Sequence, residues 1–433
     1  MTATPDLFNE IPLDFINGNT SWRHHVSDLL RAFNSLNRKC MKIFPSLPHH
    51  PQQQTVITLD IAQHLQTEYS AWSPETRPEL AGKPRLNTFS MIQSVARQLR
   101  KLGHPIPNAR DLDHLYHNLW EHGELYRTGE AAAIITQCQG RTCNGAPLRI
   151  GVISHYSNDL YDDSYGIIHA FTLPVLNHCH ELGHFFSGCA GDYATLEEVL
   201  YGNTAVSTDE TYRSKLSLVH EPMADTLGSL IFLRFIGDVE MWRYMVYGKM
   251  LDKFENCPRT HYTIPVLEVL LEMIEQPDAM QRLQQATGEE LIKFARSIVL
   301  STGPRQTAEA LKTNISFNKK IEQIHEYCIN NNPTDKKEPA EILKAFYVKQ
   351  CPFKMPDGTV IELTPDEKEI SQKLLKLTRK KEEVFKDLND RNKEICTIQD
   401  HLKETRGLKY KRGLLPLALA HAALSKINRE RIA

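Results

Sequence analysis

Five residues near the middle of the chain have the types and spacing to do chemistry. They are His180, Glu181 and His184 in His-Glu-Leu-Gly-His, followed by Glu221 and Asp225 in Glu-Pro-Met-Ala-Asp. Histidines four apart on a helix project from one face, so both imidazoles can take corners of a tetrahedral zinc ion. Glu181 beside them is not a ligand. It is placed to accept a proton from a metal-activated water and pass it to a leaving amine. Zinc would lower the pKa of that water toward about 7 and polarise the scissile carbonyl. A catalytic site needs a third protein ligand and leaves the fourth position to water. Glu221 is the first candidate. Asp225, one turn further on, would accept the outer N–H of a ligating imidazole and fix its tautomer. Glu198, Asp192 and His220 are the alternatives for the third position.

The neighbours of the pair suit a half-buried helix, since Leu182, Phe185 and Phe186 are apolar and Gly183 is small. His178, two positions before His180, points around the helix and reads as a packing or supporting residue. A donor facing the oxyanion is also required, and Tyr201, Tyr212, His220, His261 and Tyr262 are the candidates. Two other groupings carry less. Cys138 and Cys143 lack a second cysteine pair at zinc-ribbon spacing, and His114, His117, Glu121 and His122 read as the solvent face of an amphipathic helix.

These residues resemble the gluzincin metallopeptidases, thermolysin-like and neprilysin-like, in which an HExxH helix is followed by a helix bearing Glu-x-x-x-Asp. His180, Glu181 and His184 match the first motif, and Glu221 and Asp225 match the second. The resemblance covers roughly residues 148–236. It implies zinc, a cleft between a sheet-bearing part and a helical part, and peptide hydrolysis. Pro222 departs from a continuous second helix and places Glu221 at a helix start. A second stretch, Thr195 to Gly202, is similar to the aspzincin pattern GTxDxxYG. It has Glu198 in the aspartate's place and retains Tyr201, but its threonine is offset by one and no glycine precedes it.

Certain elements must position this site. From Ser21 to about Arg127 the periodicity is helical, broken at Pro45–Gln54 and Ser73–Pro84. LRIGVISHY and GIIHAF read as strands around the turn-rich SNDLYDDSY, with Pro174 starting the metal helix as an N1 proline and Ser187-Gly188 ending it. Ser217–Phe235 is a second apolar helix, with further helical periods to about Ala295. Ile370, Leu374, Leu377, Val384, Leu388, Ile395, Ile398 and Leu402 form a heptad seam interrupted by Lys381 and Arg391, which predicts a helical hairpin. Breaks at Gly407 and Gly413–Pro416 precede a last helix to Arg431. The expected fold is α+β and mostly helical. It has an N-terminal helical region (1–140), a zincin-like catalytic domain with a small sheet (141–300) and a C-terminal helical region carrying the hairpin (301–433).

Charge adds an exclusion: 51 basic against 53 acidic residues give a net −2, so no global field draws the chain to nucleic acid. The acidic start of the N-terminus is unlike a secretory signal, and the apolar run Leu414–Leu424 is too short to span a membrane. Nine scattered cysteines point to a reducing compartment. The expected location is cytoplasmic, or inside a host cell after delivery without a signal peptide. The expected activity is that of a zinc metalloendopeptidase acting on a protein substrate. One alternative is a non-enzymatic zincin-like interaction protein that binds a partner through residues 370–402. Another is metal-assisted hydrolysis of a non-peptide ester or amide.

Overall fold

The computed structural model describes residues 22–44, 53–69, 84–128, 133–155, 167–187, 210–256, 261–331 and 337–406. The protein is α+β and mostly helical, around one small mixed sheet. The sheet has strand β5 (Pro147–His155) at its centre, with β1 (Gln53–Asp60) parallel on one side and β4 (Ala133–Arg141) antiparallel on the other. A tight turn joins β4 to β5, in which Gly145 takes φ +80°, the left-handed region that glycine occupies at no steric cost. Leu148, Ile150, Val152 and Ile153 of β5 are all fully buried, as a strand covered on both faces requires. Helices α2 (Thr88–Lys101) and α3 (Ala109–Thr128) cover one face through Met91, Val95, Leu99, Leu115 and Leu119. Helices α1 (Trp22–Ile43) and α4 (Ile167–Ser187) cover the other through Phe33, Leu36, Phe185 and Phe186. A short hairpin, β2 (Leu65–Tyr69) and β3 (Pro84–Leu86), lies before α2.

Helix α5 (Glu210–Phe235) packs along α4, and glycines set how closely. A Cβ on Gly183 would stand 2.4 Å from the Ala224 carbonyl oxygen, and one on Gly228 would stand 2.7 Å from that of Cys179. Only glycine permits that approach. Around α5 lie α6 (Val239–Asn256), α7 (Ile264–Ile274), α8 (Ala279–Gln285) and α9 (Gly288–Thr302). They are followed by α10 (Pro304–Asn331), α11 (Lys337–Tyr347), a minimal pair of strands β6 (Phe353–Lys354) and β7 (Val360–Ile361), and α12 (Pro365–Arg406). Among the described residues no helix is long and apolar enough to cross a membrane.

Several expectations are corrected. The N-terminal stretch read as helical contains β1, β2 and β3, because QQTVITLD is β-branched and buried on both faces, which removes the alternation that marks a strand. GIIHAF is helical from Ile167 onward, so Pro174 sits inside α4 and not at its start. The second helix begins at Glu210, with Pro222 inside it, so Glu221 is a mid-helix residue. An interior proline costs roughly 3 kcal/mol. Burial of Leu176, Cys179 and Leu182 in α4, and of Met223, Leu227 and Leu230 in α5, outweighs that cost. The expected hairpin is one unbroken helix of 42 residues, α12, whose Ile370, Leu377 and Leu388 are buried in the chain's own core. The breaks at Gly407 and Gly413–Pro416, the last helix and the run Leu414–Leu424 lie outside the described residues, as do SNDLYDDSY and residues 73–83.

Candidate metal centre

Helices α4 and α5 each deliver part of the site. His180 and His184, one turn apart on α4, bring their rings to 4.7 Å centroid separation at near right angles. Glu221 on α5 faces both: His180 Nε2 is 3.4 Å from one carboxylate oxygen and His184 Nε2 is 3.5 Å from the other. These three residues are the group among the described residues that could hold a metal ion, with ligand atoms within 4.8 Å of one another. The two imidazole–carboxylate separations are short enough for one ion to be held among the three donors. Pro222 does not displace Glu221, because α5 continues through it.

The surrounding groups hold these donors in place. Asp225 Oδ1 lies 2.6 Å from His180 Nδ1, which turns Nε2 of that ring toward Glu221. Asp225 is buried and also accepts from Lys249 Nζ of α6 and from Thr263 Oγ1 at 2.5 Å. Burial opposes its charge, but the Lys249 ammonium and His180 hold its carboxyl well below the usual range. Burial and Lys249 pull His180 down; Asp225 and Glu221 outweigh them and raise it to about 9. Glu221 likewise resists desolvation through its contacts with both imidazoles and stays well below the carboxylate range.

Glu181 is 8 % exposed and lies beside the three donors without joining them. Burial raises its pKa; the two imidazoles and a hydrogen bond from the Ile135 backbone of β4 pull the other way, and Glu221 adds to the rise. Its carboxyl is thus tied to a strand at the edge of the sheet among the described residues.

Of the oxyanion candidates, His261 stands at the site, its Nε2 3.4 Å from Glu221 Oε1 and its side chain 56 % exposed. Buried Lys253 donates to the His261 carbonyl and so holds the segment that also carries Thr263. His220 flanks Glu221, and burial followed by the His184 charge lowers it to about 4. Tyr262 is packed in the core. Glu198, Asp192 and Tyr201 lie outside the described residues, as does the Tyr212 side chain. His178 is fully buried, with its ring 2.9 Å from His155 Nε2 on one side and 2.7 Å from Asn37 Oδ1 on the other, which makes it a supporting residue of α4. Cys138 is buried in β4 and Cys143 is exposed in the following turn, and they form no metal group among the described residues. His114 and His117 are on the solvent side of α3. Lys249, Lys253 and Thr263 were not singled out by sequence spacing, since each reaches the site across a tertiary contact.

No family model, curated protein or solved structure matches the chain.

Proposed function

We propose that the chain is a zinc metalloendopeptidase, with His180, His184 and Glu221 as ligands, Glu181 as general base and Asp225 as the residue that orients His180. The observation that carries this reading is the convergence of both imidazoles on one carboxylate, with a second carboxylate, the buried Glu181, beside them that is not one of the converging donors. An ion-pair cluster alone would account for Glu221 but leaves Glu181 buried without need. When bound, zinc supplies a Lewis acid that acidifies water and polarises a carbonyl.

The chain's own residues supply the rest. Glu181, with its pKa raised chiefly by burial, takes the proton of the attacking water and returns it to the leaving amine. His261, half exposed beside Glu221, is placed to donate to the developing oxyanion. Strand β4 carries Ile135, which touches Glu181, at the sheet edge, and an extended peptide added to that edge would bring a scissile bond to the base. The reading as an interaction protein through residues 370–402 has less support, because Ile370, Leu377 and Leu388 of that seam are spent on internal packing.

Metal analysis tests the ligand set. Purified protein should carry about one zinc per chain. His180→Ala, His184→Ala and Glu221→Ala should each lose it, while Glu181→Gln should retain it. Full zinc occupancy in a His180→Ala/His184→Ala double variant would refute the site.

A further inference from the structure

A cavity of about 580 Å³ opens among α4, α5, α6, α7 and α12. It touches His180 and Asp225 but not Glu181, His184 or Glu221, so it meets the site on the side of the His180–Asp225 contact and not on the side of the converging ligand atoms. Its size lies within the roughly 300–1,000 Å³ of small-molecule sites. The walls are aliphatic, from Leu173, Leu176, Met245, Val246 and Leu267, with the Tyr244 ring beside them.

Two ammonium groups line this apolar space. Lys249 is the partner of Asp225, is 30 % exposed and has further donors to offer. Lys381 is the more telling of the two, because it occupies a position on the α12 seam where Leu377 before it and Leu388 after it are buried. Its ammonium lies 5.5 Å from the Tyr244 ring centre and makes no ion pair among the described residues. Opposite it, α6 carries Gly248, where a Cβ would stand 3.4 Å from Lys381 Nζ. Thus a lysine replaces an apolar seam residue, its ammonium reaches the Gly248 backbone of α6, and among the described residues no carboxylate pairs with its charge. The acid at the cavity besides Asp225 is Asp252, which is exposed and accepts from Asn256 at 2.6 Å.

We infer that this cavity binds a monocarboxylate with an aliphatic tail, its head between Lys381 and Lys249 and its tail along Leu173, Leu176, Met245 and Leu267. A carboxylate seated there would lie next to the cation that holds Asp225, and so three contacts from His180, through Lys249 and Asp225. This site stands independently of whether the chain is a peptidase.

Calorimetric titration of the full chain with decanoate, below the concentration at which decanoate aggregates, tests it. Wild type should show saturable binding at about one per chain. Lys381→Met keeps the stem against Tyr244 and removes the charge, and should weaken binding by at least about tenfold, while Lys381→Arg should retain it. Decanol should bind wild type no better than decanoate binds the Met variant. Absence of saturable binding in wild type, equal affinity for decanol and decanoate, or an undiminished Lys381→Met variant would each overturn the assignment.

Discussion

At the residue scale, the different behaviour of three carboxylates around two imidazoles rests on environment. Glu221 and Asp225 keep their charge through imidazole and ammonium partners despite burial, whereas burial shifts Glu181 toward the neutral form. A general base must be deprotonated, so activity should fall as pH drops through the Glu181 pKa, with the acid limb of kcat/KM lying above the ordinary glutamate value. A limb that persists unchanged in Glu181→Asp would assign it elsewhere. On the proposed ligand set, Asp225 orients His180 without ligating the metal, and Asp225→Ala should cost roughly 10–100-fold in zinc affinity. Glu221→Ala should cost more than that, and a reversed order in competitive chelator titrations would exchange their roles. His261→Ala should lower kcat with metal content intact.

At the element scale, the site depends on how closely α4 and α5 approach. Gly183→Ala places a methyl into the Ala224 backbone, and backbone cannot swing aside as a side chain can. The expected loss is about 1–3 kcal/mol, with weaker zinc retention as Glu221 is levered from the histidines. Denaturant titration with and without zinc measures both, and wild-type stability in this variant would show that the helix spacing is not set there.

The same elements show what the sequence disclosed. His180, Glu181, His184, Glu221 and Asp225 were legible because ligand spacing on a helix is local. Lys249, Lys253 and Thr263 were not, since each arrives from another element, and His261 was one of five oxyanion candidates among which spacing does not choose. The small sheet was half legible. LRIGVISHY declares a strand by its β-branched run, but β1 is buried on both faces and has no alternation to separate it from buried helix. The two interior prolines misled in the same direction. Proline rules favour a helix start, and tertiary packing of α4 on α5 overrides them. The α12 seam was read correctly as apolar, but heptad periodicity does not say whether the partner is another chain or the molecule's own α6 and α10.

At the scale of the whole molecule, the metal helix leans on a buried polar column formed by His155, His178, Asn37 and Thr58, with Phe33 stacked on both imidazoles. Burial lowers His155 to about 3 and also lowers His178. Both are neutral in the fold, while the unfolded chain binds protons below its ordinary histidine value of 6.5. Stability is therefore intact above that pH and falls as pH drops from there toward the folded value. From pH 7 to pH 5, before most carboxylates titrate, His155 alone should cost about 2 kcal/mol. Chemical denaturation of the metal-free protein at the two pH values measures this, and His155→Gln should flatten the difference. Equal stability at both would mean that the column is charged or hydrated.

The central claim, that this is a hydrolase and not a zinc-bearing scaffold, is tested most directly by proteome-wide cleavage mapping with the zinc-loaded wild type and Glu181→Gln. The variant keeps the size of Glu181 and leaves the three ligands untouched, so it should retain metal and thermal stability. It should lose about 10²–10⁴-fold in cleavage rate, the usual contribution of a general base. Peptide bonds cut by wild type and spared by the zinc-loaded variant would be the predicted result; an identical cleavage map from both, or none from either, would contradict it.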